Sequence, residues 1–281
     1  MKSRTEDGAR RIGNLRRFVV DEIHSDVGLV PIRGQEARHI SKVLRIGPGD
    51  SIILMDRKGA RFLARIESVG PNEVTVSLLE SLQPPPCSPL EISLCQSVLR
   101  PGPMDFVIQK TSELGVTHIF PFIAERTVVR PDEKGRANKL RHWEEIASGA
   151  SKQSNRGRPP AIHPVVPFSD LLTQFKTGKQ MKVILWEGEE TQDLKGVIRN
   201  HESGPGAIGI IGPEGGFDPS EVEKAVSAGF EPVSMGQRIL RAETAAIAFV
   251  AVLQYEWGDL GSQRKLCRVS GVRFRVSARF S

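Results

Sequence analysis

Short apolar runs separated by glycine, proline and aspartate fill the first third of the chain. Their alternating and β-branched residues predict strands, whereas Ala37, Ile40, Val43 and Leu44 recur at the spacing of one helical face. One short helix among several strands indicates a small β-rich unit over residues 16–82. Its predicted strands cover residues 16–20, 28–32, 50–56, 61–69 and 73–81.

The pattern changes after the proline-rich segment 83–89. This segment predicts a stiff, extended connector, because proline suits neither a central strand nor a helix interior. Short apolar runs then alternate with longer stretches of helical spacing, which favours a parallel sheet covered on both faces. Residues 90–261 therefore predict an α/β domain. Its predicted strands are 91–99, 116–122, 182–187, 207–212 and 231–236, and its main helices are 104–114, 137–154 and 243–257.

Two helices of this domain have distinctive sequences. Asp218, Pro219 and Glu221 occupy the N-cap, N1 and N3 positions of a capping box, and the helix that they begin ends at Gly229. The last helix, 243–257, is apolar on nearly every face. Such a helix is buried in a core or in a subunit interface, which favours an oligomer.

Composition and charge limit the possible classes of protein. The 281 residues are 39% hydrophobic, which suits a globular chain of one large or two modest domains. The net charge is +6, but residues 1–17 and 262–281 carry more positive charge than the whole chain, so any site for a polyanion is a local patch. Three cysteines without CxxC spacing and six histidines without metal-ligand spacing favour a reducing cytoplasm and no metal site. No apolar run is long enough for a membrane span, and the N-terminus lacks the apolar core of a secretory signal.

The strongest chemical signal is the loop 212–216, GPEGG, between an apolar strand and the capped helix. Adjacent glycines let the backbone approach a ligand and offer N–H donors, and open α/β sheets bind ligands at the carboxyl ends of their strands. The second signal is RILRAET, 238–244, whose arginines suit a phosphate or carboxylate. Simpler explanations are a tight β-to-α turn for the first segment and helix capping by Glu243 or Thr244 for the second.

Basic residues form three local groups that suit either contact with RNA or a solvated surface. They are Arg16, Arg17, Lys42 and Arg45 in the small unit, Arg100 and Lys110 around the helix 104–114, and Lys152, Arg156 and Arg158 after the helix 137–154.

Taken together, these motifs resemble a known family. FVIQKTSELGV, WEEIASGASKQSNR, IIGPEGGF, MGQRILRAETA and WGDLG occur in an order and spacing similar to those of RsmE-type 16S ribosomal RNA (uracil-N3)-methyltransferases of the SPOUT superfamily. RRF and RHISKVLRIGPGD resemble the N-terminal domain of that family, so the resemblance covers residues 16–261. It implies a PUA-like, RNA-binding β-barrel at 16–82 and a trefoil-knotted SPOUT-type α/β methyltransferase domain at 90–261.

The resemblance also implies a reaction. A homodimer in the cytoplasm would transfer a methyl group from S-adenosyl-L-methionine to N3 of a uridine in 16S rRNA, within the small ribosomal subunit, with no metal and no membrane. Glu243 would act as the base, and Arg241 and Arg100 would stabilise charge on O2 or O4 of the uracil. The cofactor-binding residues implied are Leu185, Trp186, Glu187, Gly212, Pro213, Glu214, Gly215, Gly216, Met235, Gly236, Arg238, Ile239, Leu240 and Thr244. The RNA-binding residues implied are Arg17, Lys42, Arg45, Lys110, Gln153, Ser154 and Arg156.

Two alternatives stay open at this point. One is a SPOUT methyltransferase that acts on transfer RNA or on another rRNA site, and the other is a non-catalytic RNA-binding protein. The basic residues 262–281 lie beyond the resemblance, and their composition predicts a disordered tail.

Overall fold

Two sheets organise the described part of the chain. The computed structural model describes residues 15–23, 28–44, 46–56, 60–83, 88–175, 177–201 and 206–260. Arg45, most of the proline-rich connector and the basic tail lie outside these residues, so the predictions made for them stay predictions.

The N-terminal unit is built on a mixed sheet. Its elements are β1 Arg17–Val20, β2 Leu29–Arg33, α1 Gly34–Arg38, the π-helical turn His39–Leu44, β3 Ser51–Asp56, β4 Arg61–Val69 and β5 Glu73–Ser81. The strand order is β1-β3-β4-β5-β2, in which β1 pairs with β3 in parallel and the other neighbours are antiparallel. Buried Ala37 from α1 and Ile40 from the π-helical turn complete the core of the unit.

The second sheet is parallel throughout. Its strands are β6 Glu91–Ser97, β7 His118–Ile123, β8 Ala161–Ile162, β9 Val166–Pro167, β10 Met181–Leu185, β11 Gly206–Ile211 and β12 Glu231–Val233. Their order in the sheet is β12-β10-β11-β6-β7-β8, and β9 also lies beside β7. Its helices are α2 Pro101–Glu113, α3 Glu133–Gln153, α4 Phe168–Gln174, α5 Leu194–Asn200, α6 Pro219–Ser227 and α7 Ala242–Glu256. The α/β class with a β-rich N-terminal unit is thereby confirmed.

Helices cover both faces of the parallel sheet, so every residue of β10 and β11 is buried. The core on one face takes side chains from α2, α3, α5 and α7, and the core on the other takes them from α4 and α6. α7 packs very closely on β11, since a Cβ added to Gly209 would collide with the Phe249 ring. This close packing explains why a glycine interrupts an otherwise apolar strand.

The helix boundaries follow local sequence signals where these are strong. The predicted capping box is confirmed, because Asp218 accepts from the N–H of Ser220 at 3.1 Å while Glu221 accepts from the N–H of Asp218 at 3.1 Å. The short helices α4 and α5 were not predicted. Each has only seven residues, which is too short for a clear 3.6-residue period.

The two units meet at the C-terminal end of α3. Lys152 on α3 forms an ion pair with Glu36 of α1, and the guanidinium of Arg61 on β4 donates to Oδ1 of Asn155 at 3.0 Å. Asn155 has a φ of 60°, which places it in the left-handed region just past the helix end.

Within the described parts of the chain, no helix combines the length and the hydropathy that a transmembrane segment requires.

Candidate active site

The carboxyl ends of β10, β11 and β12 open into one cavity of about 980 Å³. β10 pairs with both β11 and β12 in parallel, so the loops that follow the three strands leave the sheet side by side. Most of the residues predicted for the cofactor line this cavity: Leu185, Trp186, Glu187, Gly212, Pro213, Glu214, Gly216, Met235, Gly236, Arg238, Ile239 and Leu240. The three predicted catalytic residues, Arg100, Arg241 and Glu243, line it as well.

Two residues of the predicted cofactor set do not line the cavity. Gly215 lies against the back of its loop, where an added Cβ would stand 3.3 Å from the Cβ of Arg126. Thr244 is exposed on the first turn of α7, next to Glu243.

The GPEGG segment folds into a tight turn after β11. The N–H of Gly216 donates to the carbonyl of Pro213 at 3.0 Å, and Gly216 has a φ of 69°. An added Cβ at Gly216 would collide with the carboxylate of Glu187 from the neighbouring loop. The positive φ favours glycine here, whereas the exposed Glu187 side chain can move away from an added methyl group.

Glu214 fixes this turn to the start of α2. Its Oε1 atom accepts from the backbone N–H of Arg100 at 3.1 Å, and Arg100 is the N-cap residue of α2. Arg100 therefore enters the cavity from β6 and α2, which come more than one hundred residues before the loop.

The segment 124–130 after β7 supports the turn from behind and was not predicted. The guanidinium of Arg126 contacts the Gly215 carbonyl at 3.4 Å and the Asp218 carboxylate at 3.3 Å. Oε1 of buried Glu221 accepts from the N–H of Glu125 at 2.9 Å. Hydrogen bonds from Ser220, with a smaller contribution from Arg126, hold the pKa of Asp218 below its usual value. This segment directly follows the predicted strand 116–122, and segments at the carboxyl ends of parallel strands commonly border a ligand site. That position was the feature of the sequence that could have identified it.

The loop after β10 forms the acidic wall of the cavity. Hydrogen bonds from Thr191 and Gln192 lower the pKa of Glu189, and the N–H of Trp186 donates to the Val233 carbonyl at 3.0 Å. The predicted cofactor set includes this loop only as far as Glu187. The cavity is also lined by four later residues of the loop, Glu189, Glu190, Thr191 and Asp193. The run of acids directly after an apolar strand was the signal for them.

The third loop presents its side chains to solvent. Ile239 is 90% exposed between two arginines that line the cavity. The side chain of Arg241 is 87% exposed, whereas that of Glu243 is 18% exposed, and their closest charged atoms are 4.0 Å apart. Glu243 is therefore a partly sheltered carboxylate beside the exposed cation of Arg241.

The charges of the lining favour a ligand with positive charge in the part of the cavity near β10. Six carboxylates and three guanidinium groups line the whole cavity, and all three arginines lie on the α2 and α7 sides. Nowhere in the described chain do three metal-ligating side chains form a possible metal site. The acids surround a space that suits a cationic organic group, next to arginines that suit developing negative charge.

The residues predicted for RNA do not gather in this cavity. Lys42 is exposed on the π-helical turn, and Lys110 is on α2, where it pairs with Glu113 at 3.0 Å. Arg17 is half-buried on β1, Gln153 is exposed at the end of α3, and Ser154 is the C-cap residue of α3.

Arg156 has a different setting from the other predicted RNA contacts. It donates to the Ser112 carbonyl at 2.8 Å and lines a second cavity, of about 940 Å³, between α3 and the N-terminal sheet. The basic loop of which it is part is thus held at the junction of the two units.

The fold and the cavity define an α/β protein that binds a ligand at the carboxyl edge of a parallel sheet. A family model described as an RNA methyltransferase domain matches residues 86–254, and one described as an RNA methyltransferase PUA domain matches residues 32–79. The chain belongs to the RNA methyltransferase family that includes ribosomal RNA small subunit methyltransferase E.

Relatives with that name match most of the chain. The Bacillus subtilis protein is 27% identical over 86% of this chain and 97% of its own length, and the Buchnera aphidicola (Acyrthosiphon pisum) protein is 30% identical over 87% and 94%.

Solved structures give the same result for the fold. The Neisseria gonorrhoeae ribosomal RNA small subunit methyltransferase E, bound to S-adenosyl methionine, has a TM-score of 0.80 and 34% identity over 88% of this chain and 99% of its own. A Legionella pneumophila methyltransferase in complex with the cofactor SAM has a TM-score of 0.81 and 32% identity over 88% of this chain and 100% of its own. The predicted family, enzyme class and SPOUT-type fold with a PUA-like domain are thereby confirmed.

Proposed function

We propose that this protein transfers a methyl group from S-adenosyl-L-methionine to N3 of a uridine in 16S rRNA of the small ribosomal subunit. The observation that carries the proposal is the single cavity formed by the loops after β10, β11 and β12, with the GPEGG turn at its centre. The names and bound cofactors of the relatives described above support the choice of methyl donor and of RNA.

The cavity fits the methyl donor in shape and charge. The turn at 212–216 exposes glycine backbone where an added Cβ would fill the space between two loops. Trp186 offers an aromatic surface to a purine, and the acids after β10 complement a sulfonium and an ammonium group. The residues assigned to the cofactor are therefore those of the three loops, with Gly215 and Thr244 acting from just outside the lining.

Bound S-adenosyl-L-methionine supplies an electrophilic methyl group carried on a sulfonium. The protein must remove the N3 proton of uridine, a weak acid, and must hold the uracil in line with the methyl group. Glu243 is the base in this proposal, because it is the only one of the three predicted catalytic side chains that can accept a proton, and it is partly sheltered on the cavity wall. Arg241 and Arg100 stabilise the negative charge that develops on O2 or O4.

RNA binding is assigned to both units. Residues 16–82 form the RNA-holding PUA-like domain and residues 90–261 the methyltransferase domain. Arg17, Lys42, Arg45, Lys110, Gln153, Ser154 and Arg156 contact the RNA, chiefly its phosphates.

The active form is a cytoplasmic homodimer in this proposal. The exposed apolar residues Val252 and Tyr255 on α7 support an interface between two copies along this helix. Static light scattering of the purified protein checks this part, and a monomer at micromolar concentration would contradict it.

Two measurements test the proposed function. Isothermal titration of S-adenosyl-L-methionine is expected to give a one-site curve that Gly215→Val abolishes, because the added side chain meets Arg126. Incubation with small ribosomal subunits from a strain that lacks the activity is expected to produce one 3-methyluridine, mapped by nuclease digestion and mass spectrometry.

The products distinguish the alternatives. Methylation of transfer RNA or of a different rRNA nucleotide would replace the proposed substrate, and RNA binding without cofactor binding or methyl transfer would leave only the binding role.

The assignment of the base has its own test. Glu243→Gln keeps the size of the side chain and removes its basicity, so kcat is expected to fall at least a hundredfold, with little change in cofactor affinity. Full activity of Glu243→Gln would exclude Glu243 as the base.

A further inference from the structure

A buried glutamine lies directly beneath the GPEGG turn. Gln96 is the second-to-last residue of β6, is 0% exposed, and pairs in register with Ile211, the residue before the turn. Gln96 does not line the cavity, and it belongs to none of the motifs that indicate the family.

The amide of Gln96 is bonded on one side only. Its Nε2 donates to the carbonyl of Ser97 at 3.0 Å and contacts the carbonyl of Gly212 at 3.4 Å. Its Oε1 is buried and has no hydrogen-bond partner among the residues that the structure describes. A buried acceptor without a partner destabilises a fold, so an apolar residue of similar size would serve the core better. What the amide contributes is therefore its Nε2 contacts with the two carbonyls, because its Oε1 atom adds nothing to stability.

The bond to Gly212 restricts the turn where it leaves the sheet. It fixes the direction of the Gly212 carbonyl and with it the plane of the following peptide, which has no N–H because the next residue is Pro213. The N–H of Gly216 is used inside the turn. Within the described residues, the N–H groups of Glu214 and Gly215 donate to no protein acceptor, which leaves them as donors for a ligand.

We propose that Gln96 is a positioning residue for methyl-donor binding. Its amide holds the Gly212 carbonyl and thereby orients the N–H group of Glu214, which lines the cavity, toward the ligand. This inference rests on the proposed function, because it names the support of the same cofactor loop.

The test compares Gln96→Leu with a matched control, Gln254→Leu. Gln254 on α7 is also 0% exposed, donates to a backbone carbonyl (Gly115, 3.2 Å) and accepts from Ser88 at 2.8 Å, but it lies at the opposite end of the sheet from the cavity. Gln96→Met is a second variant that adapts its shape if the leucine does not fit.

Two readouts separate positioning from a merely structural role. Gln96→Leu is expected to raise the Kd for S-adenosyl-L-methionine at least tenfold while its Tm stays at or above that of Gln254→Leu. Amide hydrogen exchange in the ligand-free protein is expected to become faster at 214–216 in Gln96→Leu and to stay unchanged there in Gln254→Leu.

The Kd and exchange measurements distinguish failure of the positioning role from failure of the proposed function. A Kd within twofold of the wild-type value for both Gln96 variants, or unchanged exchange at 214–216, would overturn the inference. If wild-type protein binds no methyl donor, the proposed function fails, and the exchange comparison still decides whether Gln96 orders the loop.

Discussion

Oε1 of Glu214 accepts a hydrogen bond from the backbone N–H of Arg100 at 3.1 Å. This contact joins the centre of the GPEGG turn to the N-cap residue of α2, across 114 positions of sequence. A carboxylate at the N-terminus of a helix also interacts favourably with the helix dipole. The contact therefore links two walls of the cavity and holds the backbone of Arg100 beside the GPEGG turn.

Loss of this contact is expected to loosen the site more than the fold. Glu214→Ala removes an acceptor at a helix N-terminus, which costs about 1 kcal/mol, and should raise the Kd for S-adenosyl-L-methionine roughly fivefold. Glu214→Gln keeps a carbonyl acceptor and should restore most of the affinity. Titration calorimetry of the three proteins checks this, and equal losses in Ala and Gln variants would show that the negative charge, not the bond, matters.

Gly216 should be sensitive to a single methyl group. Gly216→Ala introduces a side chain at a φ of 69°, which costs about 1–2 kcal/mol, and displaces the carboxylate of Glu187, which lines the cavity. Gly229→Ala is the matched control, since its φ is 87° but an added Cβ meets no atom within 4 Å. Both variants are expected to lose similar stability in urea denaturation, and only Gly216→Ala should weaken cofactor binding, by about tenfold. Similar affinities of the two variants would contradict the crowding argument.

Asn155 should couple the two units through both its backbone and its side chain. Asn155→Gly keeps the left-handed conformation but removes the acceptor of buried Arg61. Burial, and to a lesser degree the charge of Arg17, already lower the pKa of Arg61, so loss of the acceptor is expected to cost about 1.5–3 kcal/mol. Asn155→Ala should cost more, because alanine is strained at this φ.

Arg61→Met is the complementary variant at the same junction. It removes the buried charge together with its need for an acceptor, so it should cost less than Asn155→Gly. Guanidinium denaturation gives the order of stability of the three variants. The reverse order would show that the Arg61–Asn155 bond does not stabilise the junction.

His163 should give the fold a dependence on pH. Its Nε2 lies 3.1 Å from Nδ1 of His118, and its ring stacks on Phe120 with the centroids 3.8 Å apart. Burial, and then the neighbouring His118, lower the pKa of His163 below 6.5. The unfolded chain therefore binds its proton at higher pH than the folded chain does, so stability is complete above about pH 7 and falls as the pH drops through 6.5 toward the lowered folded-state value.

Urea denaturation between pH 5 and 8 measures this effect. The free energy of unfolding of the wild-type protein is expected to decrease below pH 6.5, and His163→Gln should show a smaller decrease across the same range. An identical pH dependence of the two proteins would assign the effect to other groups.

Several features could be predicted because they depend on residues close together in the chain. The capping box of α6 needs only Asp218 and Glu221, three positions apart, and the GPEGG and RILRAET segments carry enough specific residues to indicate the family. The apolar runs that became β10 and β11 identified the strands whose loops form the cavity, although the short helices α4 and α5 were too brief to show a period.

The support of the site could not be predicted. The strand order β12-β10-β11-β6-β7 does not follow the order of the chain, so the segments that meet at the carboxyl edge are remote in sequence. Gln96 lies in an ordinary apolar strand, and Arg126 follows another, with no local pattern that marks either residue. No feature of the sequence distinguished one predicted RNA-binding residue from another. In the structure, Arg156 donates to the Ser112 carbonyl, whereas Lys42 faces solvent.

The sequence by itself thus determined the longer helices and strands, the family and the loops that line the cavity, because hydrophobic period, capping and glycine placement are short-range properties. Only the tertiary structure decided which side chains stand behind those loops and how the two units are joined. Hydrogen bonds such as those of Gln96 to Gly212 and of Arg61 to Asn155 exist only once the sheets have brought distant segments within about 3.5 Å of each other.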